Sequence, residues 1–249
     1  MKLNKNKIKF LSAVTFLYVL LFEFIIPANK YFPKPSIIYD TSFDLLNDYN
    51  LMNSLILTGL VILSALLFSY LLIYLIRGSL MPFLEKYNNI SEILKAFEVV
   101  PFIFIPIVLI FWIGASFLTE IIFVFVIAVA FWLFKVELLQ KFIKQSYIDS
   151  AKSLNVSQSK IYKDIYWKSI EPQLIISFRK LNIYLWSVAI LFEYIAGYFG
   201  VGSIYFQAYM YKDISAVFTL TIILSVIVCI FDLLLLLIDK QIIFWSSEK

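Results

Sequence analysis

Residues Asp149 to Pro172 read DSAKSLNVSQSKIYKDIYWKSIEP, the one long polar interruption in a chain that is otherwise mostly apolar. Ala151 and Leu154 stand three residues apart, a spacing that puts them on one helix face, while Asp149, Lys152 and Ser153 keep the rest in water. Asn155 is the expected helix stop, because Asn tolerates the left-handed conformation a helix needs just past its end. Ser157 is placed to cap a second helix, with Ile161, Ile165 and Trp167 at helical spacing, and Pro172 is expected to break the run. The stretch predicts a helix, a sharp turn and a helix, with Ala151 and Leu154 as a small apolar tip in water.

The chain that carries this stretch is 249 residues long and 62% hydrophobic, against roughly 45–50% for a soluble domain. That composition makes it an integral membrane protein. The single cysteine, Cys229, lies in an apolar run, so there is neither a disulfide framework nor a cysteine metal cluster. Histidine is absent, which removes the commonest metal ligand and the commonest general base near neutral pH.

Outward from the loop, the apolar runs predict an all-α protein with six membrane spans, at 10–28, 51–76, 97–113, 117–134, 181–196 and 214–238. The first follows Lys2, Lys5, Lys7 and Lys9 and is too long for a secretory signal core, so it reads as a retained span. Residues 29–50 form a polar loop with one short amphipathic turn near Phe43 to Leu46. Arg77-Gly78 is expected to end the second span, and Gly114 to Ser116 to form a tight turn. Arg179 and Lys180 mark one end of the fifth span, from which such side chains snorkel to headgroups. Residues 197–212, with Gly197, Gly200 and Gly202 among aromatics, read as an exposed or partly re-entrant loop.

Charge tests this topology independently. With the N-terminus inside, all but three of the 21 Lys and Arg fall on the cytoplasmic side, the exceptions being Lys30, Lys34 and Lys212. This asymmetry obeys the positive-inside rule and puts both termini and the 139–172 loop in the cytoplasm. The net charge of +4 follows from a basic membrane-facing rim and calls for no nucleic-acid partner.

The loop resembles the cytoplasmic E-A-A-x-x-x-G loop of bacterial ATP-binding-cassette importer permeases. Asp149-Ser150-Ala151-Lys152-Ser153-Leu154-Asn155 keeps the Ala, replaces Glu and Ala mildly, and has Asn where the family has Gly. Trp167-Lys168 stands in place of the usual Leu-Pro, and a proline follows at Pro172. Three further stretches resemble the branch that includes sulfonate, taurine, nitrate and pyrimidine-precursor importers. They are Phe32-Pro33-Lys34-Pro35-Ser36, then Glu98 to Pro101 with Pro106 and Phe111-Trp112-Ile113-Gly114, and Glu193 with Gly200-Val201-Gly202. Asp232 stands where that branch has an Asp in its last span.

The resemblance implies a MetI-like permease fold that forms half of a translocation pathway for a small solute, anionic or heterocyclic. It implies as partners a second permease copy as a homodimer, cytoplasmic ATPase subunits and an extracellular or periplasmic substrate-binding protein, in a bacterial cytoplasmic membrane. Asp149, Ser150, Ala151, Leu154 and Asn155 become the ATPase-coupling residues, and Pro101, Pro106, Glu193, Gly200, Gly202 and Asp232 the pathway or gate residues. No phosphate-binding G-x-x-x-x-G-K-[ST] loop is present, so the chain is expected to bind no cofactor or metal and to rely on ATP used by its partner.

Bland roles compete for the same residues. Pro101 and Pro106 kink a helix or shape a gate, Glu193 packs or lines the pathway, and Asp232 makes a structural polar contact with another span. Two other functions are weighed against transport. An intramembrane enzyme would use Glu193, Asp232 or Glu120 as acids, without His or a paired-carboxylate signature to support it. A channel or assembly protein without an ATPase would leave the loop as a solvated linker.

Overall fold

The computed structural model describes residues 5–27, 32–86, 104–143 and 145–242, and every regular element among them is helical. α1 (Lys5–Val19) runs on into a π-helical turn, Leu20–Ile25. α2 (Pro35–Asn47), α3 (Leu51–Lys86), α4 (Phe104–Ile113), α5 (Phe117–Gln140) and α6 (Gln145–Ser153) follow. α7 (Gln158–Ala196) contains a second π-helical turn at Ile161–Tyr166, and α8 (Gly200–Met210) and α9 (Ile214–Ile242) complete the described chain.

Four of these helices, α3, α5, α7 and the Ile214–Asp239 part of α9, are long and apolar enough to cross a membrane. Ser12–Ile25 and Phe104–Ile113 are shorter apolar helices, at the places expected for the first and third spans. Residues 97–103, with Glu98 and Pro101, lie outside the described residues.

α3, α5 and α7 pack on one another and form the centre. Each shows why in its sequence. On α3, Thr58, Ile62, Ala65, Ser69 and Ile73 recur at helical spacing and are buried. On α5, Phe123, Val124, Ala128, Trp132 and Val136 do the same. Trp132 is fully buried, and its indole N–H donates to Ser69 Oγ at 3.0 Å, which satisfies the polar edge that a buried tryptophan brings. Tyr70, Phe178 and Trp167 pack around it with ring centroids 4.8–6.3 Å apart, joining α3, α5 and α7 through one aromatic cluster. α9 packs on α2, α7 and α8, with Ala216, Leu220 and Leu224 buried near its start.

The sequence misplaces several boundaries. Arg77-Gly78 does not end α3, which runs on to Lys86. Arg77 lies back along the helix, donating to the Tyr74 carbonyl at 2.7 Å with its guanidinium 3.9 Å from the Tyr74 ring, so a charge interrupts the apolar run without interrupting the backbone. Pro172 lies inside α7 rather than at a break. Proline removes one backbone donor, and the helix continues because packing holds both sides of it, with Ile170, Leu174 and Ile175 buried. The short turn near Phe43 is a full 13-residue helix, α2, opened by Pro35 in its first turn and by Ser36 N–H donating to Glu23 Oε2 at 3.1 Å. Residues 197–212 are not a loop but mostly the 11-residue α8, with Val201, Gly202, Ser203, Ile204 and Ala208 buried.

Connections follow simple chemistry. Gly114 (φ +91°) turns the chain between α4 and α5, and Ser116 caps α5 by accepting from Thr119 N–H at 3.1 Å. Asp213 caps α9 through Ala216 N–H at 2.9 Å and its other carboxylate oxygen accepts a long 3.5 Å bond from Tyr49. Burial, and then the Asp213 carboxylate, push the Tyr49 phenol up, so it stays a donor at neutral pH.

Candidate functional site

The polar loop hangs from one end of the bundle. α6 ends in a Schellman arrangement: Asn155 (φ +52°) donates to the Lys152 carbonyl at 3.0 Å and Val156 N–H donates to the Ala151 carbonyl at 3.1 Å. Ser157 occupies the N-cap of α7 without a side-chain cap bond. The motif decides which residues face inward. Ala151 is buried, only 5% exposed, in the same apolar cluster as Ile148, Ile161 and Val156, whereas Leu154 is 77% exposed.

The expected tip of Ala151 and Leu154 is therefore corrected to Leu154 alone. Residues three apart share a helix face, but Leu154 lies past the last helical residue, where the chain has begun to turn. Asp149, Ser150 and Asn155 are exposed, and Ser150 Oγ bonds back to the Ser146 carbonyl at 2.8 Å.

The loop is tied to the bundle rather than trailing from it. Tyr162 donates to Glu85 Oε2 at 2.5 Å, and Arg77 Nε donates to the Lys163 carbonyl at 3.4 Å, both linking α7 to α3. Gln140 at the end of α5 donates to the Met81 carbonyl at 3.3 Å. A cavity of about 230 Å³ opens between these ends, with Ile148 of α6, Gln140 and Tyr166 in its wall.

At the opposite end of the bundle, four elements converge on a polar knot. Glu193, in the last turn of α7, is fully buried and accepts from Thr58 Oγ–H at 2.5 Å and from Gly202 N–H at 2.7 Å. Thr58 in turn accepts from Val201 N–H at 3.0 Å. These two amides open α8, so α7 and α3 supply the acceptors that the first turn of a helix otherwise lacks, and the Glu193 carboxylate sits at the positive end of α8. Glu120, in the first turn of α5 and also fully buried, lies beside Glu193.

Glycine is required here by contact. Gly197 (φ +81°) ends α7 and Gly200 (φ +70°) starts α8. A Cβ on Gly200 would stand 1.9 Å from Glu193 Oε1, and one on Gly202 would stand 2.3 Å from the Ile190 carbonyl oxygen and 2.5 Å from Tyr194 N.

The sequence-selected pathway residues thus separate into groups. Glu193, Gly200 and Gly202 are brought together. Pro106 is buried in the first described turn of α4. Asp232 is elsewhere, paired with Arg179 of α7, whose Nε donates to Oδ1 at 2.8 Å and whose second nitrogen bonds Oδ2. This bidentate pair gives Asp232 the polar contact expected of it and makes Arg179 an ion-pair partner rather than only a headgroup anchor. Thr58 was not legible as a site residue, although a threonine seven residues into an apolar helix is a signal. Glu120 is legible in the sequence only as a candidate acid of an intramembrane enzyme.

The described residues are all-helical, with four helices long and apolar enough to cross a membrane and a helix–turn–helix at one end of the bundle. Residues 87–244 match the family of inner membrane components of binding-protein-dependent transport systems, and the chain belongs to that family. No curated protein and no solved structure matches it. Members are transporter permeases rather than enzymes, working with an ATPase and a substrate-binding protein.

Proposed function

We propose that the chain is the permease subunit of an ATP-driven importer in a bacterial cytoplasmic membrane. It crosses six times with both termini in the cytoplasm, pairs with a second copy, and forms half the pathway for a small solute of the sulfonate, nitrate or heterocyclic kind. ATP is bound and hydrolysed by a separate cytoplasmic subunit, which takes hold of the chain at the Asp149–Pro172 loop.

The observation that carries this reading is the loop's construction. A leucine 77% exposed stands at its turn, while Ala151, Ile148 and Ile161 beside it are buried and fix the turn to the bundle. An exposed leucine on a fixed turn is suited to a partner's apolar groove, and the tie to α3 and α7 gives a pull on the loop a route into the membrane helices. Pathway roles for Pro101, Pro106, Glu193, Gly200, Gly202 and Asp232 belong to the same reading.

Leu154→Asp tests it. The substitution leaves the bundle untouched but places a carboxylate where docking must remove water, at a cost of about 2–4 kcal/mol if it stays unpaired. Membrane insertion should be normal, while recovery of the ATPase with the purified permease and solute uptake should both fall at least about tenfold. Unchanged uptake with unchanged ATPase recovery would remove the loop from this role. Ala151→Glu is no substitute, because burial makes it a test of the loop's own folding.

A further inference from the structure

α2 is too short to cross a membrane, yet both of its ends are pinned at the level where apolar helices end. Ser36 N–H donates to Glu23 Oε2 at 3.1 Å and the Tyr18 hydroxyl donates to the Pro33 carbonyl at 2.6 Å, so the start of α2 is tied to the first apolar helix. Its last residue, Asn47, is separated from Leu51, the first residue of α3, by three residues. Of these, Tyr49 bonds to Asp213 at the start of α9. A helix of 13 residues, about 20 Å long at about 1.5 Å per residue, that is held at both ends in this way lies across the knot end of the bundle instead of projecting from it.

Around its axis α2 divides into three faces. Thr41 and Leu45 are buried where α9 and the π-helical turn after α1 pack against it. Tyr39, Phe43 and Leu46, at i, i+4 and i+7, share a second face and are 65%, 48% and 45% exposed, with the Tyr39 and Phe43 ring centroids 5.1 Å apart. Asp40 and Asp44, also exposed, share the third, and Asp48 follows just past the helix end. Ile37 is exposed on the acid side by itself, where a single apolar side chain is ordinary.

From this arrangement we infer that α2 is an interfacial helix, with Tyr39, Phe43 and Leu46 set into the headgroup and acyl boundary of the leaflet at the knot end, and Asp40 and Asp44 turned to water. The neighbouring surfaces identify the occupant as lipid. The apolar stretch of α9 is almost wholly exposed, and Phe24 and Ile25 beside Glu23 are exposed too, so the elements on which α2 packs present apolar surface at membrane depth. An aromatic and leucine face beside a carboxylate face, held level with the ends of those helices, matches the boundary layer, where amphipathic helices and tyrosine rings sit. No Lys or Arg occurs from Ser36 to Tyr49, so the contact is apolar and owes nothing to anionic headgroups.

Spin labels on the full-length chain in phosphatidylcholine vesicles test this. In a Cys229→Ser background, Asp40→Cys, Phe43→Cys, Asp44→Cys and Leu46→Cys each carry one label, all at exposed positions outside the core, two on each face. Oxygen, which concentrates among acyl chains, should dominate relaxation at 43 and 46, and a water-soluble nickel chelate should dominate at 40 and 44. Equal nickel access at all four positions would place α2 in water and overturn the inference. Shielding of 43 and 46 from both reagents would put protein, such as a second copy, on that face and overturn it equally. Neither result bears on the loop, whose role is read separately by Leu154→Asp.

Discussion

The two ends of the bundle are held by opposite kinds of contact. At the loop end, α3 and α7 meet through exposed or half-exposed bonds, Tyr162 to Glu85 and Arg77 to the Lys163 carbonyl, made by long side chains that have other conformations to adopt. At the far end, Thr58, Glu120 and Glu193 are all fully buried, and two backbone amides bond to Thr58 and Glu193. A contact made by a flexible side chain in water gives way cheaply. One made by backbone and short side chains away from water does not. The chain therefore concentrates its geometric intolerance at the end away from the loop, and three substitutions grade that difference.

Glycine replacement gives the largest effect. In Gly202→Ala the new methyl meets the backbone of Ile190 and Tyr194 within 2.5 Å, so α8 must move off α7 and carry the knot with it. The expected cost exceeds about 3 kcal/mol, from overpacking together with stranded polar groups, and would appear as loss of monodisperse protein in detergent. A variant that purifies and melts like wild type would show that the α7–α8 contact is not rigid.

Thr58→Val comes next. It keeps the shape but removes the acceptor of Val201 N–H and one donor to Glu193, with an expected loss of about 1–3 kcal/mol in a reversible unfolding titration. An effect below that range would mean that the hydroxyl is dispensable and that Gly202 alone anchors the carboxylate.

Gly78→Ala should show the smallest effect, with the opposite sign within reach. The added methyl would lie 2.5 Å from Cε and 2.9 Å from Cγ of the Lys163 side chain, which is exposed and can take another rotamer. Alanine is favoured over glycine inside a helix by roughly 0.5–1 kcal/mol, so stability should be unchanged or slightly raised. A loss comparable to that of Gly202→Ala would erase the contrast between the ends.

The sequence was most informative where local chemistry decides the structure. Asn155 as a left-handed stop, the turn at Gly114 and the helical spacing inside the apolar runs all follow from neighbours in the chain. It was least informative where polar residues interrupt an apolar run. Arg77, Pro172 and Arg179 each look like a boundary, yet the helices pass through them because tertiary packing and folded-back side chains satisfy what the residue disturbs. The knot was half legible: Glu193 and its two glycines share a motif. Thr58 and Glu120 come from distant positions, and only the packing of α3 and α5 against α7 shows that they meet there. Ala151 illustrates the limit of spacing, since periodicity put it beside Leu154 but not which of the two the chain would fold over.

α7 runs without a break from the loop to the knot, 39 residues in all, a rod about 58 Å long at about 1.5 Å per residue. Over that length a tilt of about 5° displaces one end by about 5 Å relative to the other, nearly the pitch of a helical turn. The compliant parts, the π-helical turn at Ile161–Tyr166 and Pro172, both lie in its first half, next to the loop. Beyond Pro172 the shaft is stiff as far as Glu193. Bending is absorbed near the loop, and what passes that joint arrives at Glu193 as rotation or translation of the whole segment.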